Sequence, residues 1–254
     1  MNDLVDHSLH DRLDSYHIEQ RERIPDDPDP GNYVVIDVMH FSATVVELFA
    51  NGAEYIHVTE ERGNEFAFKE DNPNAKIGGG STEDYEPTEG YDFFNSPSYV
   101  QSVDVSGHPV SMTSTNGGAA LVDLRESDDV DVYVGSTTNA AALADHLQDE
   151  NGPTYLVSAG SSGGVATEDH IGAALIGRYL EGVPVPEMEI DLLCELLEVA
   201  KGPNYVDSHE RRRRDVLGYT TAINSRSVVP KLDGEKLYDV SQEASTERSV
   251  TATV

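Results

Sequence analysis

PVSMTSTNGGAALVD, residues 109–123, is the stretch whose reading decides the fold. An apolar strand, Val110 to Met112, runs into Thr113, Ser114, Thr115, Asn116, Gly117 and Gly118, and an alanine-rich helix starts at once. Two glycines let the backbone turn sharply and approach a ligand closely. Hydroxyls, an amide and free backbone N–H groups at a helix start form an anion cradle. Ser114, Thr115, Asn116 and Gly117 are therefore candidate phosphate-binding residues.

Three further segments repeat the design. Tyr33 to Val38 (YVVIDV) leads through Met39, His40, Phe41 and Ser42 into a helix ending near Asn51 and Gly52. Asp131 to Ser136 (DVYVGS) leads through Thr137, Thr138 and Asn139 into AALADHL. Thr154 to Ala159 (TYLVSA) leads through GSSGGVAT into Glu168, Asp169 and a helix to about Glu181. Each strand is a short, nearly continuous apolar run, as buried parallel strands are. Ser, Thr or Asn stands where each helix needs a cap. The alternation predicts an α/β fold, a three-layer α/β/α arrangement with a mainly parallel sheet, and leaves open two similar subdomains. In such sheets ligands bind outside the carboxyl ends of the strands, where these tips, Ser136 and Asn139 among them, would gather. No tip carries G-x-x-x-x-G-K-[ST] or G-x-G-x-x-G, so a nucleotide-binding fingerprint is missing. Any single tip is also ordinary turn and cap chemistry; the combination argues for a site.

The formal net charge is −30, with 47 Asp and Glu against 17 Lys and Arg. Only five are lysines: Lys69, Lys76, Lys201, Lys231 and Lys236. The acids are scattered along the chain, which fits adaptation to molar salt better than a docking patch. Nucleic-acid phosphates would be repelled. The basic run Arg211 to Arg214 spreads around a helix and reads as solvated or ion-paired. The single cysteine, Cys194 in LLCELL, excludes an intrachain disulfide and reads as a small core residue. With no signal peptide or membrane-spanning apolar run, the expectation is a soluble cytoplasmic protein, no membrane partner, and self-association left open. Residues 1–31 end in IPDDPDPG and read as an N-terminal extension and linker. Residues 32–240 form the α/β domain, and 241–254 a disordered tail.

Asp37 ends a strand otherwise made of Val and Ile, where a carboxylate is costly unless paired or metal-bound. Glu168 and Asp169 open a helix, where acids also complement the helix dipole. His40 could hold a phosphate or act as general acid. Asn95 and Ser96, in GYDFFNSP, could offer donors to an anion or only fix a loop by Asx-turn chemistry. His57 and His108 have no such context.

Taken together, VVIDVMHFSATVV, the IGGG strand end, GYDFFNSPSYV, VSMTSTNGGAALV, VYVGSTTNAAALADHL, VSAGSSGGVATEDHIGAALI and VLGYTTAINSRSVVPKLDGEKL resemble, in order and spacing, the ComB family of 2-phosphosulfolactate phosphatases. The resemblance covers about residues 33 to 240. It implies a Mg²⁺-dependent phosphomonoesterase acting on a small anionic phosphorylated metabolite, within a three-layer α/β fold. Asp37, Asn95, Ser96, Thr115, Asn116, Gly117, Asn139, Glu168 and Asp169 match the family's positions. Asp37, Glu168 and Asp169 are thereby the candidate metal ligands, and with His40, which takes the place of the usual arginine, the candidate catalytic group. Met39, His40 and Phe41 stand where the family usually shows a leucine, an arginine and an alanine. Gly80, Ser81 and Ser161 stand where it shows a glutamate and two arginines. A phosphosulfolactate carries phosphate, sulfonate and carboxylate, so three replaced arginines put that substrate in question. A non-catalytic anion- or metabolite-binding protein that kept the fold is the competing expectation.

Overall fold

A computed structural model describes residues 16–127 and 129–241. The four segments predicted as strands become β2 (Gly31–Ile36), β6 (Pro109–Met112), β7 (Val130–Gly135) and β8 (Thr154–Ser158). Each feeds a helix: α1 (Phe41–Ala50), α4 (Gly117–Arg125), α5 (Ala140–Leu147) and α6 (Thr167–Leu180). Between α1 and α4 lie β3 (Tyr55–Val58), α2 (Asn64–Asp71), β4 (Lys76–Gly79), β5 (Phe93–Phe94) and α3 (Pro97–Val100). After α6 come α7 (Glu187–Val199), α8 (Glu210–Asp215) and an antiparallel pair, β9 (Pro230–Asp233) and β10 (Lys236–Asp239). His17–Ile18 forms β1, paired with β8, so part of the segment read as a linker joins the sheet edge. Residues 1–15 and the tail from 242 lie outside the described residues.

All ten strands form one sheet in the order β1-β8-β2-β7-β9-β10-β3-β6-β4-β5. Two parallel blocks, β1-β8-β2-β7 and β3-β6-β4-β5, are joined through β9 and β10. The joints β7·β9, β9·β10 and β10·β3 are antiparallel, so the two blocks run in opposite directions along the ladder. The sheet is mainly parallel, as the strand-helix alternation requires. The antiparallel centre escaped the sequence because PKLDGEKL mixes charges with only one leucine per strand.

Alternate residues of β2 face opposite sides of the sheet. Tyr33 and Val35 pack with Phe41, Val45, Leu121 and Leu124, a core under α1 and α4. Val34 and Ile36 pack with Leu143, Ile176 and Leu197, a core under α5, α6 and α7. The two cores on either side of one sheet make the three layers. Among the described residues, no helix is long and apolar enough to cross a membrane.

Candidate active site

Strand twist decides which tips meet. Neighbouring strands rotate by roughly 20–25°. The five steps from β2 to β6 therefore accumulate about 100–125°, turning the opposed blocks toward each other. The carboxyl end of β2 reaches the start of α4, and the Gly117 N–H donates to Asp37 Oδ2 at 3.0 Å. Ser114 Oγ lies 3.4 Å from the same oxygen. A Cβ on Gly117 would stand 2.4 Å from Phe41 Cδ1 and 2.9 Å from Asp37 Cβ. This glycine was expected to let the backbone approach a ligand; in the fold its close approach is to the Asp37 carboxylate.

The fourth tip arrives from β8. Asp169 accepts from the Val38 N–H at 2.8 Å on one oxygen and from the Gly160 N–H at 3.0 Å on the other. It ties the turn after β8 to the turn after β2. Glu168, next on α6, pairs with Lys201 at 2.7 Å, its own side chain 4% exposed. Burial pushes the Asp37 carboxyl above its ordinary range, against the Gly117 N–H and the Lys201 charge. Burial, reinforced by Asp37, pushes Asp169 well above its ordinary range. For Lys201 burial works against the charge, but Glu168 and Asp37 outweigh it and hold the ammonium protonated. Three carboxylates and one lysine thus share a buried corner, a charge arrangement that marks functional sites more often than structural ones.

His40 stands at the start of α1. Its Nε2 shares a 3.3 Å hydrogen bond with the Tyr205 hydroxyl, while its buried Nδ1 has no partner among the described residues. Burial lowers its pKa to about 4, so the ring is neutral at ordinary pH and does not stand ready as a general acid. Beside it lies a cavity of about 220 Å³, walled by Arg62, Gly80, Ser81, Tyr85, Asn95 and Asp215. Asn95 Oδ1 is buried there without a partner. Ser96 turns away: its Oγ sits 2.8 Å from both oxygens of Asp215 and caps α3 by accepting from the Tyr99 N–H. Ser98 N–H also donates to Asp215.

A family model described as 2-phosphosulpholactate phosphatase matches residues 18–202, a span that carries every one of these tips. The chain belongs to that family. A probable 2-phosphosulfolactate phosphatase of Caldanaerobacter subterraneus is 29% identical over 211 residues, covering 80% of this chain and 85% of the relative. One of Gloeobacter violaceus is 28% identical over 218 residues, covering 80% and 88%. One of Deinococcus radiodurans is 32% identical over 158 residues, covering 62% and 65%. The phosphoric monoester hydrolase class expected from the sequence is that of this family, and the mixed α/β architecture agrees with it.

The candidate residues read from the sequence divide into those the fold gathers and those it does not. Asp37, His40, Ser114, Gly117, Glu168 and Asp169 converge. Asn116 lacks a side-chain cap bond and is half-buried at the start of α4, and Thr115 beside it is exposed. Asn139 is fully buried, accepting from the Ser136 N–H and donating to the Val134 and Val228 carbonyls. Its amide is spent on backbone, and with Ser136 it pins the segment before β9 instead of lining the cavity.

Several site neighbours were not foreseen. Lys201, Tyr205, Asp215, Arg62 and Arg212 come from loops and from α8, outside the four strand tips read from the sequence. For Lys201 a signal was present: a lysine is rare in a chain with so many acids. The run Arg211–Arg214 divides. Arg213 and Arg214 pair with Asp207 and Glu210 on the surface, as expected. Arg212 instead lies over the rings of Tyr85 at 4.9 Å and Tyr205 at 4.5 Å.

Proposed function

We propose that this chain hydrolyses a small anionic phosphate monoester with the help of a divalent cation, Mg²⁺ by the chemistry of its donors. The observation that carries the reading is the buried Asp37–Glu168–Asp169–Lys201 corner at the start of α4. Among the described residues, no three of His, Cys, Asp or Glu are set to hold a metal. Mg²⁺ does not need three: it usually takes one or two carboxylates, keeps waters and binds substrate phosphate oxygens. The bonds to Asp37 from Gly117 and Ser114 both fall on Oδ2, and the Lys201 pair uses Glu168 Oε1. The Phe41 N–H also bonds the Asp37 carboxyl, so a cation would share the remaining lone pairs of Asp37 with these donors and meet Glu168 Oε2. Asp169, with each oxygen on a backbone N–H, is a positioning residue and not a ligand.

A bound divalent ion would neutralise phosphoryl oxygens and lower the pKa of a bound water. The chain's own groups supply the remainder. Lys201 places a fixed positive charge beside the corner, complementary to the charge of the transferred phosphoryl group. The backbone and side chains of Thr115 and Asn116 offer donors at the start of α4. Neutral His40 orients the ester by hydrogen bonding. Keeping three buried carboxyl groups beside one lysine costs stability, which favours a working site over a relic.

Phosphate release from small phosphorylated acids, measured in molar KCl with and without Mg²⁺, tests the proposal. Release that requires Mg²⁺ is expected. No release from any ester, with the protein folded and Mg²⁺ supplied, would overturn it in favour of the binding-protein alternative.

A further inference from the structure

The helix α7 is apolar on two opposite faces. Ile190, Leu193 and Leu197 pack into the core beneath it. Met188, Leu192, Leu196 and Val199 point the other way: Met188 is 81% exposed, and the other three lie between 43% and 54%. At about 3.6 residues per turn these four fall within roughly 80° of the helix circumference and make one stripe about three turns long. We infer that a second copy of this chain covers this stripe, α7 packing antiparallel on α7 across a twofold axis, and that molar salt permits the contact.

The area is sufficient. Four residues exposed to this degree present roughly 400 Å² of largely apolar surface, the size of the largest patch on a typical monomer and too large to be incidental. Two copies bring roughly 800 Å², and the polar rim along each stripe carries the contact to the roughly 1,200 Å² at which specific interfaces begin.

The spacing selects a second copy as the occupant. A twofold contact uses the same patch on both subunits, so the patch has to be complementary to itself. The stripe reads nearly the same in both directions about residue 194. Antiparallel pairing sets Met188 against the partner's Val199 and Leu192 against the partner's Leu196. A different protein would not require this symmetry.

The charges set the condition. Glu187, Asp191, Glu195 and Glu198 are exposed along one edge of the stripe. On the other edge Glu189 is already paired with Arg178 at 2.7 Å. A twofold axis across antiparallel helices keeps each edge on its own side, so Asp191 comes beside the partner's Glu195 and the acids of both copies form one row. Like charges so placed oppose association at low salt. Screening within about 3 Å at 1 M removes most of that repulsion and leaves the apolar stripe to act. A basic partner would show the reverse dependence, binding best at low salt.

Light scattering on the full chain as it leaves a sizing column, at 0.3 M and at 3 M KCl, tests the inference, with far-UV circular dichroism to show that the fold persists at both. One chain per particle is expected at 0.3 M and two at 3 M. Leu192→Glu with Leu196→Glu changes outward side chains only, and should give one chain per particle at 3 M with an unchanged spectrum. Glu195→Lys sets a cation beside the partner's Asp191, and should lower the KCl concentration at half-association by about twofold or more. A folded single chain at both salts overturns the inference. So does an oligomer that the double leucine variant leaves intact, or a half-association point that Glu195→Lys leaves unmoved.

Discussion

Gly117 donates its N–H to Asp37 Oδ2 at 3.0 Å, and the space where its Cβ would stand is already filled by Phe41 and Asp37 itself. One residue thus closes two distant segments of chain onto each other and sets the carboxylate's direction. Gly117→Ala must push α4 away from β2, because a ring carbon and a Cβ cannot both yield. Overpacking of this kind costs about 1–3 kcal/mol, so the unfolding midpoint should fall, and phosphate release should fall further because the corner opens. Denaturant unfolding beside a rate assay checks this; wild-type values in both would show that the approach is not needed.

Asp37 and Asp169 carry raised pKa values. In the window from the ordinary carboxylate value up to the raised one, the folded state holds a proton that the unfolded state has released. The metal-free fold therefore loses stability as pH rises through that window. Asp37→Asn keeps the acceptor for Gly117 and cannot titrate. Its melting temperature in chelator should exceed that of wild type, by a margin that widens as pH rises above the ordinary carboxylate value. Its Mg²⁺ affinity should be at least about tenfold weaker. A constant margin would show that the Asp37 carboxyl does not titrate in this way in the folded state.

Lys201→Met would strand the Glu168 charge in a buried setting. Breaking one side of a buried pair costs roughly 3–5 kcal/mol, here toward the lower end because the Lys201 side chain keeps 24% exposure. Adding Glu168→Gln should restore most of the stability and none of the activity. Recovery of activity in the double variant would make the pair structural.

The net charge of −30 predicts dependence on salt. Self-repulsion is screened within about 10 Å at 0.1 M and about 3 Å at 1 M, so the unfolding midpoint should rise from about 0.1 M to multimolar KCl. A midpoint equal or higher at low salt would contradict this.

Ser96→Ala would remove the hydroxyl that serves both oxygens of Asp215 and would uncap α3. A loss of roughly 1–3 kcal/mol is expected from the desolvated carboxylate. It should bring little change in Mg²⁺ dependence, as the residue faces away from the metal corner. A melting curve and a Mg²⁺ titration decide between this and a direct role on phosphate.

The strand tips were legible in the sequence because local chemistry writes them. Val and Ile runs bury on both faces of a sheet, Ser, Thr and Asn cap helices, and glycine alone permits the turn at 117. Asp37, Gly117, Glu168 and Asp169 could be read from that pattern, as could the α/β class. What only the tertiary structure decided is which tips meet. The hairpin at β9 and β10 reverses the chain direction between the two blocks, and the accumulated twist turns their ends together; neither leaves a periodic trace in PKLDGEKL. The same holds for Arg62 and Arg212, which carry no signal until the fold brings them to the surroundings of His40. Asn139 makes the converse point. Its place in a polar tip suggested a ligand contact, but a fully buried amide must satisfy its hydrogen-bonding groups, and the backbone of Val134, Ser136 and Val228 takes them up.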